Sequence, residues 1–120
     1  MGKIVGFDIS SQEPEKAAIF YSEVFGWETE EAHWGYRPVK PESCSEEWKL
    51  HGGISKGTAD FPHGTRIQIQ VDSIENTLEK AKAAGALVVR ERMDFDDFSL
   101  AYLTDPTGVG LGLIEYRTGV

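Results

Sequence analysis

Apolar and polar residues follow the same succession of patterns twice along this chain. Residues 6–26 contain a short alternating segment, an acidic turn, an amphipathic stretch and a closing glycine, and residues 66–85 repeat this order. The two segments begin half a chain length apart in a sequence of 120 residues. Because internal repetition indicates a repeated structural unit, we predict a single domain, 1–120, made of two modules at about 1–58 and 62–120.

Each module is predicted to hold a strand, a helix and three further strands. Proline suits a first helical turn and glycine a helix end, so Pro14 and Gly26 delimit the first helix. Its predicted apolar stripe consists of Ala17, Phe20, Tyr21 and Val24. In the second module the segment 66–71 alternates as a half-buried strand does, and Ser73 caps the next helix. The remaining strands are predicted at 27–31, 34–39, 48–55, 86–90, 99–103 and 109–116.

This order of elements predicts an α+β fold. A single module cannot bury both its helix stripe and the two faces of its strands. Two modules can do so by forming a cupped, partly open eight-stranded barrel with the helices outside. The concave interior of such a cup is where we look for a binding site.

The amino-acid composition argues against two classes of binding partner, nucleic acids and membranes. The net charge of −8 argues against nucleic acid and anionic membrane surfaces, which require patches rich in Lys and Arg. One cysteine, Cys44, excludes an internal disulfide and fits a reducing compartment. No apolar run approaches the roughly 18 residues that span a bilayer, and the N-terminus lacks the pattern of a signal peptide. We therefore expect a cytoplasmic protein that contacts neither nucleic acid nor membrane.

Three segments carry a resemblance to a known superfamily: FDISSQEPEKAAIFYSEVFGW, IQIQVDSIENTLEKAKAAGA and AYLTDPTGVGLGLIEY. In this order and spacing they resemble the vicinal oxygen chelate superfamily, which includes glyoxalase I, bleomycin-resistance proteins and extradiol dioxygenases. The resemblance implies paired βαβββ modules, a cupped sheet and a homodimer with its cavity near the subunit interface.

The resemblance also implies a divalent metal, with ligands on the first, fourth, fifth and eighth strands. The matching positions here are Gly6, a residue within 51–54, Arg66 and Gly112. Glycine has no side-chain donor and arginine no acceptor. His51 is the one candidate ligand that remains, and one imidazole cannot supply the three or four ligands of a metal site. We therefore expect no metal and no other cofactor.

The candidate ligand-binding residues are Asp8, Arg66, Gln68, Trp34, Tyr36 and His51. Alternation places Asp8 on the face of Gly6, and Arg66 and Gln68 take the equivalent places in the second module. We expect Arg66 to replace the metal as the positive charge and to bind a carboxylate or phosphate bidentately. Asp8 would orient Arg66 or act as an acid or base. Alternatively, Asp8 and Arg66 form an ion pair that serves the fold alone.

The predicted function is binding of a small, partly aromatic or anionic molecule without a metal. The alternative is a glyoxalase-like lyase or isomerase, with a rebuilt metal site at His51 or acid–base chemistry by Asp8. A third possibility is a partner subunit with a vestigial cup. Glu115 is not included among the candidate site residues, because it lies an odd number of residues beyond Gly112 and so points to the opposite face of the strand. There it is expected to make a capping contact or a contact between strands.

Overall fold

The structure, a computed structural model, describes residues 2–32, 35–40 and 50–117. It is an α+β protein with two helices and a mixed sheet of seven strands in that described part. The elements are β1 (Lys3–Ser11), α1 (Pro14–Phe25), β2 (Tyr36–Val39), β3 (His51–Lys56), β4 (Gly64–Gln70), α2 (Ile74–Ala83), β5 (Leu87–Asp94), β6 (Phe98–Thr104) and β7 (Gly110–Tyr116). Contacts between Cα atoms divide the chain into a first unit, Val5–Arg66, and a second unit, which comprises residues 2–4 and 67–117.

In the first unit, β3 lies between β1 and β2. It pairs in parallel with β1 and antiparallel with β2. Helix α1 packs on one face of these strands, where the buried core consists of Ile9, Ala18, Val39 and Ile54. The unit therefore has one face beneath α1 and one face opposite it, which we call the first distal face.

Helix α1 begins and ends where the sequence predicts. Pro14 lies in its first turn, and Gly26 ends it in the left-handed conformation at φ 72°, with its N–H donating to the Ser22 carbonyl. The predicted apolar stripe is partly wrong, however. Phe20 and Val24 are 54% and 56% exposed, and Ala18 is the buried residue of the helix. The helix is thus rotated so that its small residues contact the strands.

In the second unit, the strand order is β4-β7-β6-β5. The pair β4–β7 is parallel, and the pairs β7–β6 and β6–β5 are antiparallel. Helix α2 covers a core of Val71, Ile74, Leu78, Ala101, Leu103 and Leu113. The alternation predicted for β4 is observed, because Ile69 packs against this core and Gln68 points to the other face. The face opposite α2 is called the second distal face.

A tight turn joins β6 to β7 at the predicted position. The carboxylate of Asp105 accepts hydrogen bonds from the Thr107 hydroxyl at 2.7 Å, the Val109 N–H at 3.0 Å and the Thr107 N–H at 2.8 Å. These bonds favour the ionised form and lower the pKa of Asp105. Gly108 follows at φ 95°, a conformation that glycine adopts without a steric penalty.

The expected count of eight strands is not reached in the described residues. The predicted strand at 27–31 is reduced to a single bridge between Thr29 and Val39, although Glu30 and Lys40 add backbone hydrogen bonds on either side. The predicted strand at 86–90 is in contrast longer and continues to Asp94. The sheet is open in the described residues, since the strand order runs from β2 to β5 and these two end strands do not pair with each other. A closed barrel is therefore not formed by residues 2–32, 35–40 and 50–117, and the pairing of modules into a cup stays a prediction.

Within residues 2–32, 35–40 and 50–117, neither helix has the length and apolar character needed to cross a bilayer.

Candidate functional site

The first distal face brings together three of the predicted site residues. Cα pairing sets Gly6 opposite His51 and Asp8 opposite Gly53, so these side chains share one face of β1 and β3. On β2, Tyr36 pairs with Ser55 and lies on this same face. The register of the predicted fourth strand, which the sequence leaves open, is thereby fixed, with His51 directly across from Gly6.

Like Ser10 on the same face of β1, Asp8 is a buried polar residue. Its exposed fraction is 7%, while His51 across the strand pair is exposed. Burial of a carboxylate is costly unless hydrogen bonds or charges compensate it, and Asp8 does have an interaction partner. A buried, satisfied carboxylate on a face that carries no helix is the kind of group that orients ligands or transfers protons.

Tyr36 reaches its position because Gly53 has no side chain. A Cβ atom at Gly53 would overlap the Tyr36 ring, so the ring lies directly over the Gly53 backbone. On the opposite face, Phe7 lies over Gly52 in the same manner. The two consecutive glycines thus admit one aromatic ring on each side of β3, and the ring of Tyr36 is placed next to the strand position opposite Asp8.

Arg66 is the third residue of β4 and follows the segment that connects β3 to β4. Its guanidinium carbon is 4.0 Å from the centre of the Phe61 ring, which is a cation–π contact. The connecting segment is held by Gln12, whose Nε2 donates to the carbonyl oxygens of Gly57 at 3.0 Å and Pro62 at 3.3 Å. Phe61 was not identified from the sequence, because nothing in its local pattern indicates a partner for Arg66.

The remaining predicted residues have different outcomes. Trp34 lies outside the described residues. Gln68 belongs to the second unit, where it pairs with Gly112 on the second distal face. Whether Asp8 contacts Arg66, as an ion pair or as part of a binding site, stays a prediction. Glu115 points to the α2 side as expected, and its Oε1 accepts a hydrogen bond from the Ile74 N–H at 2.7 Å.

Two of the positions that the resemblance implies for metal ligands lie on the distal faces of their units. Gly6 is on the first distal face and Gly112 on the second. Within the described residues, no three His, Cys, Asp or Glu side chains form a group able to hold a metal ion. A Cβ atom at Gly112 would lie 3.2 Å from Tyr102 Cε1 and 3.5 Å from Gln68 Cγ, so neighbouring side chains take up the space beside this glycine.

In each unit, an outer strand, an antiparallel inner strand and a parallel strand carry one helix. A solved member of the glyoxalase, bleomycin-resistance and dioxygenase superfamily has the same fold, in agreement with the resemblance that the sequence carries. More particularly, residues 5–114 match the family described as a glyoxalase-like domain, and the chain belongs to that family.

Solved structures support the same fold. A glyoxalase/bleomycin resistance protein/dioxygenase superfamily member from Vibrio splendidus 12B01 has 11% identity and a TM-score of 0.66, with 98% of this chain and 100% of that chain covered. A hypothetical protein from Bacillus halodurans C-125 has 18% identity and a TM-score of 0.64, with 99% and 97% covered. Methylmalonyl-CoA epimerase from Streptomyces coelicolor, solved with 2-nitronate-propionyl-CoA, has 14% identity and a TM-score of 0.62, with 97% and 98% covered. No curated protein matches the sequence.

Proposed function

We propose that the chain binds a small molecule against its first distal face and that it does so without a divalent metal. The observation that carries this proposal is the buried carboxylate of Asp8, which lies on a face that α1 does not cover. Tyr36 adds an aromatic surface and a hydroxyl, and His51 adds an exposed imidazole. Apolar surface with a few oriented polar groups is the usual composition of a small-molecule site.

The chemistry of the former ligand positions supports binding without a metal. Gly6 and Gly112 offer no donor atom, and Arg66 offers only donor N–H groups. The guanidinium of Arg66 would repel a divalent cation placed beside it, whereas it would attract a carboxylate or a phosphate. The residues therefore do not fit the metal that the superfamily commonly holds, and they favour a partly aromatic or anionic ligand.

The proposal is tested by metal analysis and a thermal-shift screen on the purified protein. We expect substoichiometric metal and a raised melting temperature with at least one aromatic or anionic compound. A ligand at 100 times its dissociation constant stabilises the folded state by about 2.7 kcal/mol. Stoichiometric zinc, nickel or iron, or the absence of any stabilising compound, would contradict the proposal.

Two variants localise the binding. Asp8→Asn and Tyr36→Phe remove a charge and a hydroxyl from the first distal face, so each should reduce the ligand-induced shift measured against its own melting temperature without ligand. The matched control is Arg37→Gln. The Arg37 guanidinium bonds Glu15 Oε2 at 2.6 Å and lies on the α1 side, so the ligand-induced shift should be unchanged.

A lyase or isomerase activity is the second candidate. Asp8 and His51 are titratable groups on the same face of neighbouring strands, an arrangement that suits general acid–base chemistry. One structural relative is a methylmalonyl-CoA epimerase, so the assay follows deuterium incorporation into methylmalonyl-CoA in D2O. Incorporation that is lost in Asp8→Asn would favour this candidate, and no incorporation above the uncatalysed rate would reject it for this substrate.

Two further expectations accompany the proposal: a homodimer and a cytoplasmic location. Light scattering after size-exclusion chromatography measures the first, and fractionation of the source cells measures the second. A monomer at micromolar concentration would reject the dimer while leaving the binding proposal intact.

A further inference from the structure

The second distal face carries a row of hydrogen-bonding side chains that crosses four strands. Cα pairing links Gln68 to Gly112, Gly112 to Tyr102 and Tyr102 to Arg90. Residues paired in this way share a face, so an amide, a phenol and a guanidinium lie side by side opposite α2. This row lies entirely within the second unit, whereas the proposed function is carried by Asp8, Tyr36 and His51 of the first.

An irregularity in β5 places Arg90 in this row. Val88 pairs with Leu103 and packs towards α2, and the regular alternation of a strand would set Arg90 on that same side. The pairing shifts by one residue between Val88 and Arg90, so Arg90 instead pairs with Tyr102. β-Bulges of this kind re-aim side chains and are frequent beside functional sites.

Because Gly112 has no side chain, Gln68 and Tyr102 on the neighbouring strands can lie close to it. A Cβ atom at this position would press on Tyr102 Cε1 at 3.2 Å and meet Gln68 Cγ at 3.5 Å. Tyr102 and Gln68 are half-buried and Arg90 is exposed, and each also makes a protein contact. Side chains already held by such contacts lose little entropy when a ligand binds.

An apolar row runs next to the polar one. Ile114 pairs with Leu100, and Leu100 pairs with Met93, one step further along the same face. Ile114 is buried, while Leu100 and Met93 are half-buried. The face therefore offers donors for an oxyanion beside a surface for an apolar body.

We infer that the second distal face binds a carboxylate with an apolar body, whose oxyanion is held by Arg90, Tyr102 and Gln68 and whose body lies along the half-buried Met93 and Leu100. Arg90 supplies the planar, charged fork that matches a carboxylate. A free phosphate shares the anionic chemistry but lacks the body, so it should bind more weakly.

The test is a titration of the 15N-labelled protein with benzoate, with neutral benzamide and with inorganic phosphate. Benzoate should shift the amide resonances of Tyr102 and Gly112, and benzamide and phosphate should bind at least about tenfold more weakly, since a charge-assisted hydrogen bond is lost in one and apolar contact in the other. If benzoate fails to shift these resonances at millimolar concentration, or if phosphate competes equally, the inference is wrong.

Two variants of matched charge complete the experiment. Arg90→Gln should weaken benzoate binding about tenfold. Arg92→Gln lies two residues away on the same strand, but Arg92 bonds Glu75 of α2 at 3.1 Å, so its loss should leave the affinity within about twofold. Circular dichroism checks the fold, and Arg90→Lys, which keeps the charge but loses the fork, should bind with intermediate affinity. Equal effects of Arg90→Gln and Arg92→Gln would overturn the inference.

Discussion

Two consecutive glycines in β3 show how single residues define the two sides of the first unit. Gly52 admits the ring of Phe7 on the α1 side, and Gly53 admits the ring of Tyr36 on the first distal face. The surroundings of the two rings differ. Phe7 packs against the buried core and its ring centre lies 6.0 Å from that of Trp27, whereas Tyr36 lies outside that core.

The same substitution at the two glycines should therefore have different costs. Gly52→Ala forces a methyl group into the Phe7 ring within the core, and such overpacking costs about 2 kcal/mol. Gly53→Ala displaces the outer end of Tyr36, which can rotate away, so the change should lie within about 1 kcal/mol. Urea denaturation measures both free energies of unfolding. Equal costs would show that Tyr36 is as firmly packed as Phe7.

The sequence could predict the faces of these residues, but not what the glycines admit. Alternation along β1 correctly places Asp8 on the face of Gly6, and the register then adds His51. The Gly52-Gly53 pair only indicates a close approach of something to the backbone. Whether a ring, another strand or a ligand fills that space depends on distant residues such as Tyr36, which local sequence does not reveal.

At the scale of elements, the start of α2 depends on a residue from another strand. The Ser73 side chain accepts a hydrogen bond from the Asn76 N–H at 3.2 Å, as a capping residue does. Glu115 of β7 accepts one from the Ile74 N–H at 2.7 Å, and Ile74 is fully buried. A carboxylate at this end also complements the helix dipole.

Removing the Glu115 side chain should expose this dependence. Glu115→Ala leaves the buried Ile74 N–H without its acceptor and should cost about 2 kcal/mol. Glu115→Gln keeps an acceptor and loses only the charge, so it should cost less than about 1 kcal/mol. The control is Glu13→Ala, because Glu13 precedes α1 and makes no side-chain capping bond there. Chemical denaturation measures the free energies of unfolding. Equal values for the two Glu115 variants would contradict the role of Glu115 as the acceptor for the Ile74 N–H.

Helix limits could be predicted because their signals are local, and strand limits could not. Pro14, Gly26 and Ser73 each act through their own backbone or side chain at a helix end. In contrast, β5 continues to Asp94 through charged residues that no strand pattern favours. Pairing with β6 and ion pairs of Arg92 with Glu75 and Asp94 stabilise that extension, and these are contacts between elements.

For the molecule as a whole, pH should affect stability through a few hydrogen-bonded carboxylates. The Ser99 hydroxyl and then the Arg92 guanidinium lower the pKa of Asp94, and hydrogen bonds from Thr107 lower that of Asp105. A carboxylate whose pKa is lowered in the folded state stabilises that state at pH values above its unfolded pKa of about 3.9. This contribution is lost as the pH falls through the lower pKa of the folded state.

The free energy of unfolding should therefore decrease as the pH falls from about 5 to 3. Asp105→Asn removes one of the responsible groups, so its free energy of unfolding should depend less steeply on pH in this range. Asp96→Asn, which removes an exposed carboxylate from the β5–β6 turn, controls for the change in net charge. Unfolding by urea at several pH values provides the slopes, and identical slopes for the two variants would reject the assignment to Asp105.

The whole candidate site was only partly predictable for a geometric reason. The repeat in the sequence locates corresponding strands, and their alternation places Asp8, Tyr36 and Gln68 on the distal faces, whereas the face of His51 follows only from the register of β3 against β1. Arg90 is not among the residues predicted from the sequence, and counting by twos from Val88 would assign it to the core side. One extra residue in β5 reverses that assignment, and the sequence does not mark where it occurs.

The irregular pairing of β5 also predicts where related chains can differ in length. The register shifts twice, between Val88 and Arg90 and between Arg90 and Met93. Loss of the unpaired residue at either shift would leave the paired residues on both sides with their present partners, and hence on their present faces. Loss of a residue from β6, which pairs with β7 without interruption, would exchange the faces of everything beyond it. We therefore expect insertions and deletions among homologues to be tolerated within β5 and to be rare in β6.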